Sequence, residues 1–74
     1  MEREYQNKFR ELGLKIAYYR KLRGMTQEQL AKALHVSAQA VSKWENGSSL
    51  PDIQLLPALS VTLGTSIDSL FSLT

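Results

Sequence analysis

Four residues near the middle of the chain, Ala38, Gln39, Ser42 and Lys43, share one side of a helical spacing whose other side carries Val41 and Trp44. A methyl, an amide, a hydroxyl and an ammonium on an outward strip suit hydrogen bonding to a partner better than bond cleavage. His35, Ser37, Ser42 and Asp52 supply the residue types of a hydrolytic triad, but nothing in their spacing brings base, nucleophile and oxyanion donors together. With no cysteine and one histidine, the sequence excludes a disulfide framework, a thiolate zinc site, a multi-histidine metal centre and a cysteine nucleophile. We therefore expect no enzymatic activity, no cofactor, no metal and no small-molecule site.

The elements that must position this strip fit in 74 residues, read as one domain over 1–74. All nine Lys and Arg lie between Arg3 and Lys43, so residues 1–47 carry nine bases against five acids, and the rest only Asp52 and Asp68. One half thus suits a polyanion. No apolar run reaches the roughly 18 residues that cross a bilayer, and the charged start lacks a signal peptide's apolar stretch. The expectation is a cytoplasmic protein with no membrane partner.

Gly24, Gly47 and Gly64 each close an amphipathic stretch and precede a new start signal, which divides the chain into five short helices and makes it all-α. In the first, Phe9, Leu12, Ile16, Tyr19 and Leu22 form the inward stripe, with Arg10, Lys15, Arg20 and Lys21 outside. Gly13 marks either the true start, with residues 1–8 frayed, or an internal glycine costing about 1 kcal/mol relative to alanine. Thr26 caps the second helix, which buries Leu30, Ala31 and Leu34, and Ser37 caps the third. A fourth, with Ile53, Leu56, Leu59 and Leu63 at helical spacing, starts near Asp52 or, to relieve Pro57, nearer Leu55. Ser66 caps a last helix from Ile67 to Phe71.

Helices two and three, joined by a turn of about three residues over 26–46, make a helix-turn-helix in which Ala31 allows close approach and Val36, Val41 and Trp44 seal the inner side. Thr26-Gln27-Glu28-Gln29-Leu30-Ala31, Val36-Ser37, Val41-Ser42-Lys43-Trp44-Glu45-Asn46-Gly47 and Pro51-Asp52-Ile53 strongly resemble the lambda-repressor-like helix-turn-helix domains of Cro and cI type (Xre family). The likeness covers roughly Leu12 to Phe71. It implies a compact five-helix DNA-binding domain of bacterial or phage type.

The resemblance also implies site residues. It makes Ala38, Gln39, Ser42 and Lys43 the base-reading face in the major groove. Gln39 suits adenine N6 and N7, Ala38 a thymine methyl and Lys43 guanine O6 and N7. Gln27 corresponds to a phosphate clamp at the start of helix two, and Asn46 with the backbone amides of Gly47 and Ser48 to a second. Arg20 and Glu45 match a family ion pair, expected here to be mostly exposed, worth about 0–1 kcal/mol, and to turn Arg20 toward a phosphate. Arg23, Lys32 and Lys15 are weaker phosphate candidates. Two departures stand out: His35 occupies a position where the family has glycine at positive φ, and Ala38 one where some relatives carry a long polar side chain.

The function implied is a sequence-specific transcriptional regulator, a repressor, that binds double-stranded DNA as a homodimer on an inverted repeat. Leu70, Phe71 and Leu73 are candidates for the dimer contact, the alternatives being burial in the monomer or docking on a further domain. Two other readings are an antitoxin or coactivator-type protein-interaction module on the same fold, and a sequence-independent nucleic-acid binder.

Overall fold

The hydroxyls of Thr26, Ser37 and Ser66 accept from the amides of Gln29, Ala40 and Ser69 at 3.0, 3.1 and 3.0 Å, so local sequence fixes three helix starts. At Thr26 the cap is reciprocal, because the Gln29 side chain accepts from the Thr26 amide at 2.8 Å. The computed structural model describes residues 2–71, with side chains from Arg10 onward. Its described elements are α1 (Glu2–Leu22), α2 (Gln27–Leu34), α3 (Ala38–Glu45), a 3-10 turn (Ile53–Leu55), α4 (Leu56–Leu63) and α5 (Ile67–Phe71). Among the described residues there is no strand, and no helix is long and apolar enough to cross a membrane.

One core joins all five helices: Leu12 and Ile16 of α1, Leu30, Ala31 and Leu34 of α2, Val41 and Trp44 of α3, Leu59 and Leu63 of α4, and Leu70 of α5. Each large apolar side chain buried there contributes about 1.5–3 kcal/mol. Gly13 is internal to α1, and its missing side chain has a tertiary reason. A Cβ at that position would lie 2.2 Å from the Trp44 carbonyl oxygen and 2.8 Å from that of Glu45. The α1 backbone therefore rests directly on the last turn of α3.

The chain departs from its helical spacing in three places. Leu22 is exposed, in a row with Leu14 and Tyr18 at four-residue steps along the outer side of α1. Arg20 is instead the residue in phase with Leu12 and Ile16, and it is buried. Ile53 is 77% exposed because the 3-10 turn shifts the angular phase before α4 begins, leaving it out of line with Leu59 and Leu63. Leu70 is buried in the core, so it is not a dimer contact, whereas Phe71 is about half exposed. The side chain of Phe9 and the whole of Leu73 lie outside the described residues.

Of the two starts considered for the fourth helix, the later one holds. The Asp52 side chain accepts from the Gln54 amide at 3.1 Å and caps the 3-10 turn. Pro57 falls in the first turn of α4, where its missing N–H costs nothing.

Candidate nucleic-acid interface

The third helix is held at both ends. Ser37 caps its start, and its C-terminus closes when the Gly47 amide donates to Trp44 O at 3.2 Å and the Ser48 amide to Lys43 O at 2.9 Å. That closure needs a left-handed residue, and Gly47 takes φ +81°. On the rod so fixed, Gln39 and Lys43 are exposed, one turn apart. Ser42 is half-buried beside them. Ala38 is also half-buried and packs against the core, so the outward strip is narrower than its spacing implied.

Behind the rod lies a chain of polar contacts. The Arg20 guanidinium donates through Nε to Glu45 Oε2 at 2.6 Å and through Nη2 to Oε1 at 2.9 Å, and its Nη1 donates to the Met25 carbonyl at 2.7 Å. These side chains are only 10% and 9% exposed, so the pair is buried rather than mostly exposed. The hydrogen bond to Glu45, outweighing the opposing effect of burial, raises the Arg20 pKa further above its ordinary value. Three of the five Arg20 N–H donors are thus committed, and the side chain is enclosed where the sequence places it in solvent, although its phase matches the apolar stripe.

Glu45 has one more partner. Gln27 Nε2 donates to Glu45 Oε1 at 3.0 Å. An ionised carboxylate only accepts, so the amide nitrogen of Gln27 must face it, which leaves a second N–H on that nitrogen at the start of α2. The Arg20–Glu45 bridge thus also orients the amide of Gln27.

At the other end of α3 the expected clamp needs correcting. The Gly47 and Ser48 amides point back into the helix end, and Asn46 Oδ1 also accepts from the Ser48 amide at 2.9 Å. Neither backbone N–H is therefore directed at an anion. The groups left at this loop are the Asn46 side-chain N–H pair and the Ser48 hydroxyl, both residues being exposed. One basic residue that sequence reasoning left out of the site lies alongside: a Cβ on Gly47 would sit 3.3 Å from the Arg10 Cα. No signal in the sequence pointed to it, because the approach of α1 to α3 at Gly13 shows only once the helices are packed.

The other weak candidates are dispersed. Lys15 Nζ donates to the Ser69 carbonyl at 3.3 Å, tying α1 to α5. Arg23 packs on the end of α4, where a Cβ on Gly64 would lie 2.8 Å from its Nη1. Lys32 is exposed in the last turn of α2. His35 takes the left-handed conformation at φ 59°, ψ 40°, closing α2 as a glycine would. Among the described residues no group of three or more His, Asp or Glu gathers in a way that could hold a metal.

A helix-turn-helix family model matches residues 16–70. The chain belongs to the helix-turn-helix family, in its Cro/cI type. It is 40% identical over 62 residues to the HTH-type transcriptional activator BcrR of Enterococcus faecalis, covering 84% of the chain and 30% of BcrR. It is 47% identical over 55 residues to the HTH-type transcriptional regulator DicA of Escherichia coli K12, covering 74% of the chain and 41% of DicA. The clp gene regulator ClgR from Corynebacterium glutamicum superposes with a TM-score of 0.78 at 29% identity, covering 84% of this chain and 66% of that of ClgR. The chain therefore spans less than half the length of BcrR and of DicA. All three are named as regulators, and ClgR shares with this helix-turn-helix chain its described all-helical fold.

Proposed function

We propose that the chain is a cytoplasmic DNA-binding transcription regulator that inserts α3 into the major groove of double-stranded DNA and reads sequence there. The observation that carries this reading is the exposure of Gln39 and Lys43, one turn apart, on a helix fixed at both ends. Gln39 has the donor and acceptor to pair with adenine, Lys43 the donor for guanine, and each well-made bidentate contact contributes about 1–3 kcal/mol of discrimination. Ser42 and the Ala38 methyl complete the reading face at its edge. The second N–H of Gln27, the Asn46 amide and the Ser48 hydroxyl flank the groove as phosphate contacts and set register rather than sequence.

One α3 of eight residues is about 12 Å long and spans only a few base pairs. Useful specificity then calls for a homodimer on an inverted repeat with half-sites about one helical turn apart. Among the described residues of the C-terminal apolar group, Phe71 is the exposed one available for that contact. Repression is the proposed mode, since occupying a promoter is enough to block it. BcrR is named an activator, so the sign of regulation is measured separately with a reporter gene.

An antitoxin or adaptor that uses the α3 face for protein would present aromatic or aliphatic anchors there, and that face presents an amide and an ammonium instead. The test is selection of bound duplexes from a random pool, with competition by nonspecific DNA at physiological salt. Recovery of an inverted repeat is the expected result; a pool that stays random while binding remains salt-sensitive would replace this reading with sequence-independent binding.

A further inference from the structure

We propose that Arg10, on α1, holds a DNA phosphate beside the loop that follows α3, so that the first helix as well as the helix-turn-helix takes part in the interface. This rests on the DNA-binding reading above. Three observations support it. The Gly47 and Ser48 amides are consumed in closing α3, so neither is left to hold an anion. The C-terminus of α3 carries the negative end of its helix dipole, so a phosphate approaching there requires a nearby cation.

Arg10 supplies it. Its Cα and backbone N lie 3.3 and 3.5 Å from where a Gly47 Cβ would stand, its side chain is exposed, and among the described residues it makes no hydrogen bond or ion pair. Of the other basic residues on α1 whose side chains are described, Lys15 is held by Ser69 and Arg20 by Glu45, and Lys21 lies about three turns further along the helix. A guanidinium also matches a phosphate with two parallel N–H donors, which the neighbouring Lys43 cannot do.

The test compares the wild-type chain with Arg10→Ala and Arg10→Lys on a duplex recovered by selection and on a scrambled duplex, from 50 to 200 mM salt. Arg10→Ala should weaken binding to both duplexes alike and make the log–log salt slope shallower by about 0.9 per bound subunit. Its deficit should therefore be about 3.5-fold larger at 50 mM than at 200 mM salt for one bound subunit, and about 12-fold larger for a bound dimer. Arg10→Lys should restore the slope, and helicity and melting should match wild type in both variants. An unchanged slope in Arg10→Ala, or a loss confined to the selected duplex, overturns the assignment of Arg10 while leaving the DNA-binding reading intact. A wild-type chain that binds neither duplex overturns both.

Discussion

Arg20 and Glu45, 25 residues apart in sequence, meet through two hydrogen bonds of 2.6 and 2.9 Å and so pin the end of α1 to the last turn of α3. The pair is also what orients Gln27, whose amide donates to the same carboxylate. Three segments of the chain therefore converge on one buried anion.

Replacing either partner strands a buried charge. Glu45→Ala and Arg20→Ala should each lower stability in urea melts by about 3 kcal/mol, and the double variant should lose clearly less than the sum. Additive losses would show that the pair is uncoupled. Because the Arg20 pKa is raised, its contribution is complete below the unfolded-state value, itself far above neutral pH, and fades only as pH rises through the still higher folded value. The stability gap between wild type and Arg20→Ala should accordingly stay flat from pH 6 to pH 10.

Gln39→Ala should relax preference at one base position per half-site, with a penalty of about 1–3 kcal/mol on the preferred duplex and little change on a scrambled one. Lys32→Ala, away from the reading face, should weaken both duplexes about equally. Binding titrations that show the same pattern for both variants would displace Gln39 from the reading face.

Alanine at position 13 gains about 1 kcal/mol of helix propensity. It also places a methyl 2.2 Å from the Trp44 carbonyl, a backbone atom that cannot swing away. Steric cost outweighs propensity, and Gly13→Ala should be destabilised by about 3 kcal/mol or more in chemical denaturation. A stabilised variant would mean that α1 does not rest on α3 as described.

His35→Gly should be neutral or stabilising by up to about 1 kcal/mol, because a β-carbon at φ 59° is strained and the exposed imidazole makes no hydrogen bond among the described residues. A clear loss of stability in the same melts would reveal a role for that ring.

Locally encoded features were legible in the sequence. The hydroxyl caps at Thr26, Ser37 and Ser66, the glycine stops and the core positions Ile16, Leu30, Val41 and Leu59 follow from short-range chemistry and helical phase. Features that depend on what a segment meets in space were not. Gly13 reads equally as a helix start until α3 is packed against it, and Arg20 reads as solvated until Glu45 closes over it. Ile53 keeps helical spacing in sequence but loses it where a tighter turn intervenes. At the candidate site, Gln39 and Lys43 were legible as outward residues of a short amphipathic helix. The loss of the Gly47 and Ser48 donors was not, because it depends on which carbonyls the loop turns back upon.

The left-handed closure at Gly47 has a thermodynamic consequence for association. A rod already terminated in free solution has no fraying last turn to freeze on contact, so docking should proceed with the small heat-capacity change of rigid surfaces meeting, not the large one of a segment that folds as it binds.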